Sequence, residues 1–203
     1  GSWNADGTII FAPDVNDSIY RVPASGGEPV PVTRLDDPGQ TFNHRWPWFL
    51  PDGRSFLFFA RASDETQGIY LGSLDSGNQK FIMPASANAI YAPPGYLLFV
   101  RENTLMAQPF DAGLQATTGD AIPIANPVSV ESLLQRAIIS VSSSGILAYQ
   151  GGVLTNYNRL KWFDRSGQPV GAVGDPEIQI MARLSPDRQR LVAQIADPRQ
   201  MNS

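Results

Sequence analysis

The sequence predicts an all-β fold, a β-propeller of four-stranded antiparallel blades, and three observations predict it. The 18 glycines and 17 prolines punctuate short apolar runs, and no long helical periodicity interrupts them. A polar turn followed by a wholly apolar strand occurs five times along the chain. The last residues of those turns fall at positions 7, 53, 95, 145 and 188, separated by 46, 42, 50 and 43 residues. A four-stranded propeller blade repeats at about 40–45 residues, so the period selects this architecture among the all-β folds.

The repeated turns are Ala5-Asp6-Gly7, Pro51-Asp52-Gly53, Pro93-Pro94-Gly95, Ser143-Ser144-Gly145 and Pro186-Asp187-Arg188. Asp-Gly between strands supplies the positive φ of a tight hairpin, at little steric cost because glycine has no Cβ. Each turn leads into an apolar run, such as Ser55–Ala60 or Tyr96–Val100. A run apolar at every position is a strand buried on both faces, so a blade must stand between two neighbours. An alternating strand follows in each unit: Ser18–Val22, Gly68–Leu71, Thr104–Ala107 and Arg159–Phe163. Next comes a Gly-bearing turn: Ser25-Gly26-Gly27, Asp75-Ser76-Gly77, Asp111-Ala112-Gly113 or Asp164-Arg165-Ser166-Gly167. Pro29, Pro31 and Pro123 fall in the outer strands that end the units, where a missing ladder N–H is tolerated.

These boundaries give blades over 1–40, 41–86, 87–126 and 137–175, part of a fifth over 176–203, and an insertion over 127–136. Within the insertion, Ser132-Leu133-Leu134-Gln135 reads as a helical turn. About four full blades and part of a fifth read as a segment of a larger propeller. An open array leaves apolar faces and strand edges that favour a homo-oligomer of the segment.

Composition excludes several classes of function. Fifteen basic and nineteen acidic residues give a net charge of −4 with no basic face, which argues against nucleic acid as a partner. No apolar run reaches the roughly 18 residues of a membrane span, so this segment is not expected to insert into a membrane. With no cysteine, disulfides, thiolate metal sites and cysteine nucleophiles are excluded.

His44 is the only histidine, and no Gly-x-Ser-x-Gly elbow accompanies it. A His-based triad needs both, so no catalytic residue is assigned, and His44 reads as a hydrogen-bonded residue at a strand entry. Trp46 and Trp48 share one face of an inner strand at a spacing of two, and core packing is their first reading. A ligand-facing role is the second reading for His44, Arg45, Trp46 and Trp48, with Arg45 pointing toward the channel. Asp14, Asn16 and Asp17 place three oxygen-bearing side chains in one loop without the full calcium-loop motif. They read as ordinary turn formers, with calcium as the alternative. Asp75, Asp111 and Asp164 read as hairpin caps. No cofactor is implied.

Phe49-Leu50-Pro51-Asp52-Gly53-Arg54 and Leu184-Ser185-Pro186-Asp187 resemble the repeat of TolB-type, WD-like propellers. A closer resemblance is carried by Arg21–Pro29, His44–Pro47, Tyr91–Arg101 and Thr104–Asp111. These stretches look like the C-terminal propeller of bacterial eukaryotic-type serine/threonine kinases, best known from Acidobacteria. That resemblance implies a non-catalytic, extracytoplasmic (periplasmic) sensor or docking module that binds a protein, a peptide or a small ligand. The chain has no Gly-rich phosphate loop, no His-Arg-Asp loop and no Asp-Phe-Gly of its own. The alternatives are a propeller-type enzyme, such as a polysaccharide lyase or lactonase, and the gating propeller of an α/β-hydrolase peptidase.

Overall fold

The computed structural model describes residues 1–35, 41–63, 65–142, 144–152, 157–164, 166–184 and 191–195. These are arranged in two units, Gly1–Val153 and Leu154–Ser203. All regular structure among the described residues is strand, and no helix there is long and apolar enough to cross a membrane.

In the first unit, β1 (Ser2–Trp3), β2 (Thr8–Phe11), β3 (Tyr20–Pro23) and β4 (Val30–Pro31) form one antiparallel sheet in chain order. The second sheet is β5 (Thr41–Phe49), β6 (Ser55–Ala62), β7 (Gly68–Ser73) and β8 (Gln79–Pro84), again in chain order. The third holds β9 (Ala89–Ala92), β10 (Tyr96–Arg101), β11 (Thr104–Asp111), β12 (Ala116–Thr117) and β13 (Ile122–Ala125). Its outer strand is broken in two: β12 pairs with Phe110 and Asp111, and β13 pairs with Leu105, Met106 and Ala107. Each of these sheets is an antiparallel blade, and the protein is an all-β propeller fold.

Period-two alternation explains how the blades hold together. Along β6, Phe56, Phe58 and Ala60 join a core with Ile10 and Ile19 of the first blade. Leu57 and Phe59 point the other way, into a core with Leu97, Phe99 and Tyr91 of the third. On β10 the pattern recurs: Leu97 and Phe99 face the second blade, while Leu98 and Val100 pack with Val128 and Ala137 beyond. One strand thus closes two cores, and no blade buries both faces alone.

The repeat turns form as their composition requires. Gly7, Gly53 and Gly145 take φ of 77°, 64° and 84°, which a side chain with a Cβ resists. The third turn solves the problem differently, with a cis Pro93–Pro94 peptide and no left-handed glycine. Asp111 caps its hairpin, its Oδ1 accepting the Gly113 and Leu114 amides at 2.8 Å each. Asp75 departs from the expected capping role. It pairs with Arg54 at 3.2 Å, and the Ser73 hydroxyl accepts the Asp75 amide instead.

Two differences from the sequence expectation lie in the later part of the chain. Ser132–Gln135 is not a helical turn but the tip of a hairpin joining β14 (Val130–Glu131) to β15 (Arg136–Ala137). Gln135 at φ 50° completes that turn. The strands expected in one blade over 137–175 fall in two sheets. β16 (Ile139–Val141) pairs only with β17 (Leu147–Tyr149). In the second unit, β18 (Tyr157–Phe163) pairs with β19 (Pro169–Leu184), which in turn pairs with β20 (Leu191–Ile195). The boundary expected between 175 and 176 falls inside β19, where Gly174-Asp175-Pro176 is absorbed as a bulge. Asn158 faces Glu177 and Leu160 faces Val173, so Arg159 alone opposes all three residues. A bulge tolerates proline because its residues leave the ladder, so the strand runs on. The turn Pro186-Asp187-Arg188 lies outside the described residues, as does Ser143.

Gly72 on β7 sits where a Cβ would lie 2.5 Å from Phe56 Cζ. Gly72→Ala is expected to cost about 1–3 kcal/mol through overpacking. A double-mutant cycle with Phe56→Leu, read from denaturant midpoints, should show coupling of about 0.5 kcal/mol or more. Strict additivity would mean that the two residues do not meet.

Asp164 is held below the ordinary aspartate range, first by the Ser166 hydroxyl and then by the Gln168 amide. A depressed folded value means that the turn keeps this support above the unfolded value and loses it as pH falls through the folded one. An NMR titration should find the Ser166 and Gln168 amides shifting together at a pH below the usual aspartate midpoint.

Candidate functional site

Inner strands of successive sheets lie side by side in the order β1, β5, β9 and β16. β5 occupies the middle of that row and carries all four candidate residues. Its ladder with β6 is regular from Asn43 to Arg45, then breaks: Arg45 faces Phe59 and Trp48 faces Leu57. The two residues Trp46 and Pro47 therefore oppose Phe58 alone, which is a β-bulge. Trp46 takes φ 55°, an outlier for so bulky a residue.

His44 is 3% exposed. Its Nδ1 lies 2.9 Å from the Thr33 hydroxyl, and its ring packs at 4.6 Å on Phe58. The same Thr33 oxygen accepts the Ile19 amide at 2.8 Å. His44 thus stands in the interface between the first two blades.

The bulge interrupts the simple alternation expected of Trp46 and Trp48, yet both remain partly buried against the core between the second and third blades. Trp46 Nε1 donates to the Leu134 carbonyl at 3.0 Å, and the Arg136 guanidinium lies 5.4 Å from its ring centroid. The insertion therefore folds back onto β5. It is anchored at its base, where Asn88 Oδ1 accepts the Ala137 amide at 2.8 Å.

Arg45 is 7% exposed. Its Nη2 donates to the Val15 carbonyl at 3.2 Å, while Nε and Nη1 are buried and have no hydrogen-bond partner among the described residues. Burial, with the Arg61 charge second, pushes the guanidinium below its ordinary value. Two positions earlier on the same face, Asn43 is 0% exposed, and neither its Nδ2 nor its Oδ1 is partnered among the described residues. Orphaned buried polar atoms cost about 1–3 kcal/mol each, and charged ones more.

Two cavities open along β5. One, of about 360 Å³, is bounded by Ala12–Val15, Arg45–Pro47 and Leu134. The other, of about 530 Å³, gathers the repeat turns: Asp6, Pro51–Gly53, Pro93 and Ser142, with Trp3, Trp48 and Tyr91.

In the proposed calcium loop, Asp14 Oδ1 accepts the Asn16 amide at 3.1 Å and Asp17 Oδ1 accepts the Ser18 amide at 2.6 Å. Both bonds are of the kind that turn formers make. Among the described residues no three His, Asp or Glu side chains gather closely enough to hold a metal.

Thr33, Leu134 and the Asn43 orphan were not legible as site residues. Thr33 carries no motif, and the spacing that revealed the insertion says nothing of where its tip lands. Thr33→Val is expected to cost about 1–3 kcal/mol, because it strips a partner from both His44 and the Ile19 amide. Thr33→Ser should keep most of that stability. Thermal melts of the two variants check the difference, and equal melting points would remove the hydroxyl from the account.

The chain matches no protein-family model, and no curated protein is similar to it in sequence. Two solved structures share its fold. One is a calcium-binding protein, regucalcin, from Agrobacterium tumefaciens, 16% identical with a TM-score of 0.50 over 98% of this chain and 70% of that one. The other is TolB from Acinetobacter baumannii, 20% identical with a TM-score of 0.53 over 97% of this chain. This chain spans 48% of the length of TolB. Both are β-propellers, and at these identities the likeness is one of fold.

Proposed function

We propose that the chain is a non-catalytic propeller module that binds a peptide segment of a protein partner. The site is the end of the inner strands where the repeat turns converge. One observation carries this reading. Turns from successive repeats bring Trp3, Trp48 and Tyr91 together with Pro51 and Pro93 around one depression of about 530 Å³. Trp3 is 63% exposed there. Aromatic side chains with an apolar body and a polar edge are the usual anchors of protein interfaces. His44, the one histidine, is committed between two blades and faces neither cavity.

In the whole protein, this module would be the extracytoplasmic sensing or docking part of a bacterial serine/threonine kinase. The stretches Arg21–Pro29 and Tyr91–Arg101 support that role by resemblance. Binding at the turn-bearing end would then report an external ligand through the chain to the kinase.

Dodecamer peptides selected on the purified chain by phage display should lose at least tenfold in affinity on Trp3→Ala and on Trp48→Phe. ATP and lactone hydrolysis should stay at the buffer rate. Peptides indifferent to both substitutions would move the site elsewhere. A turnover abolished by His44→Gln or Arg45→Gln would replace the binding module with an enzyme.

A further inference from the structure

The second cavity, bounded by Arg45, has a different chemistry. Its walls are Gly1, Ala12–Val15, Trp46, Pro47 and Leu134, mostly apolar, and its volume of about 360 Å³ falls within the range of small-molecule pockets. Set into this wall is one guanidinium, nine-tenths buried, with two of its three nitrogens unpartnered among the described residues. Asn43 stands beside it on the same face with both amide atoms unpartnered. Both groups lie on the regular stretch of ladder directly before the bulge, and the bulge brings Trp46 and Pro47 to the same cavity. The left-handed Trp46 is held at that strained geometry by Leu134 and Arg136 of the insertion. Strain of this kind persists only where its surroundings over-determine it.

We propose that this cavity binds a small organic carboxylate. The Arg45 guanidinium receives the carboxylate group, and the apolar part lies against Trp46, Pro47 and Val15. A planar fork of N–H donors matches the two oxygens of a carboxylate. Among the described residues only Nη2 is engaged, on the Val15 carbonyl of an exposed loop. A turn of the terminal side-chain torsions presents Nε or Nη1 to the incoming group. The remaining charges bear on which anion fits. Asp14 lines the cavity and makes no ion pair among the described residues, so its carboxylate disfavours a dianion such as phosphate. Arg61, opposite Asn43 on β6, is exposed and does not line the cavity, which leaves Arg45 as its guanidinium. This site extends the binding reading above but occupies a different cavity, so its failure leaves the Trp3 and Trp48 test standing.

The test is a titration of the full chain with sodium benzoate, sodium acetate and inorganic phosphate at matched ionic strength, followed at the Trp46 indole N–H by NMR. Benzoate should give a saturable shift, acetate a weaker one for lack of an apolar part, and phosphate none. Arg45→Met should weaken benzoate at least tenfold while melting at or above the wild-type temperature, because a buried, half-paired charge has been removed. Asp14→Asn, on an exposed loop, should tighten benzoate several-fold and admit phosphate. Three results would overturn the proposal: no saturable shift with either carboxylate, phosphate binding as tightly as benzoate, or an Arg45→Met titration that matches wild type.

Discussion

The described fold depends on a single constraint, that the second strand of each blade must be apolar on both faces. In β6 the five residues Phe56 to Ala60 alternate between two cores without one polar position. The consequence is a division of labour within each blade. The second strand supplies adhesion on both faces, the outer strands meet solvent, and the inner strand adds single core residues such as Phe49, Ile90 and Tyr91. Val30, Ile122 and Ile124 on the outer strands are exposed, in keeping with that gradient. Irregularity is therefore affordable on β5 in a way it is not on β6. A bulge in β6 would reverse the facing of every residue beyond it and mismatch two cores at once. The bulge at Trp46–Pro47 disturbs one strand whose neighbours can absorb it.

The same constraint explains why the fold was legible in the sequence and the site was not. A double-sided apolar strand has no alternation, so Ser55–Ala60 and Tyr96–Val100 stand out as unbroken runs at a fixed spacing. The turns before them need glycine or proline for steric reasons, which marks the period a second time. Both signals are local. The position of Trp46 was readable as an inner strand, but its left-handed backbone was not, because Pro47 fits an edge position of a strand as well as a bulge. Contacts such as Thr33 with His44 or Leu134 with Trp46 join residues 11 and 88 positions apart. They arise from the stacking of blades, which no short pattern encodes.

Proline and glycine do not act alike at every position of the chain. At Pro51-Asp52-Gly53 the turn reading holds, since Asp52 Oδ1 accepts the Arg54 and Ser55 amides and closes the hairpin. At Gly174-Asp175-Pro176 the same residue types are accommodated inside a sixteen-residue strand as a bulge. Composition alone does not separate these outcomes. What separates them is whether the strand keeps one partner in register on both sides of the break, and β18 pairs with Val173 before it and Glu177 after it.

Unpaired buried polar atoms among the described residues gather on and beside the inner strand β5, and their distribution is informative. Asn43 and Arg45 lie on the face of β5 that regular alternation gives them, directly before the bulge. Gln135, the third side chain with an orphaned buried atom, sits at the tip of the insertion that leans on the same strand. Apolar residues of similar volume at these positions would be cheaper for folding, as is often found for buried charges. Stability therefore does not account for Asn43 and Arg45, whereas it accounts fully for Phe56 through Ala60. Adjacent strands of one blade thus answer to different demands: β6 to the packing of its neighbours, and β5 to whatever meets its polar face.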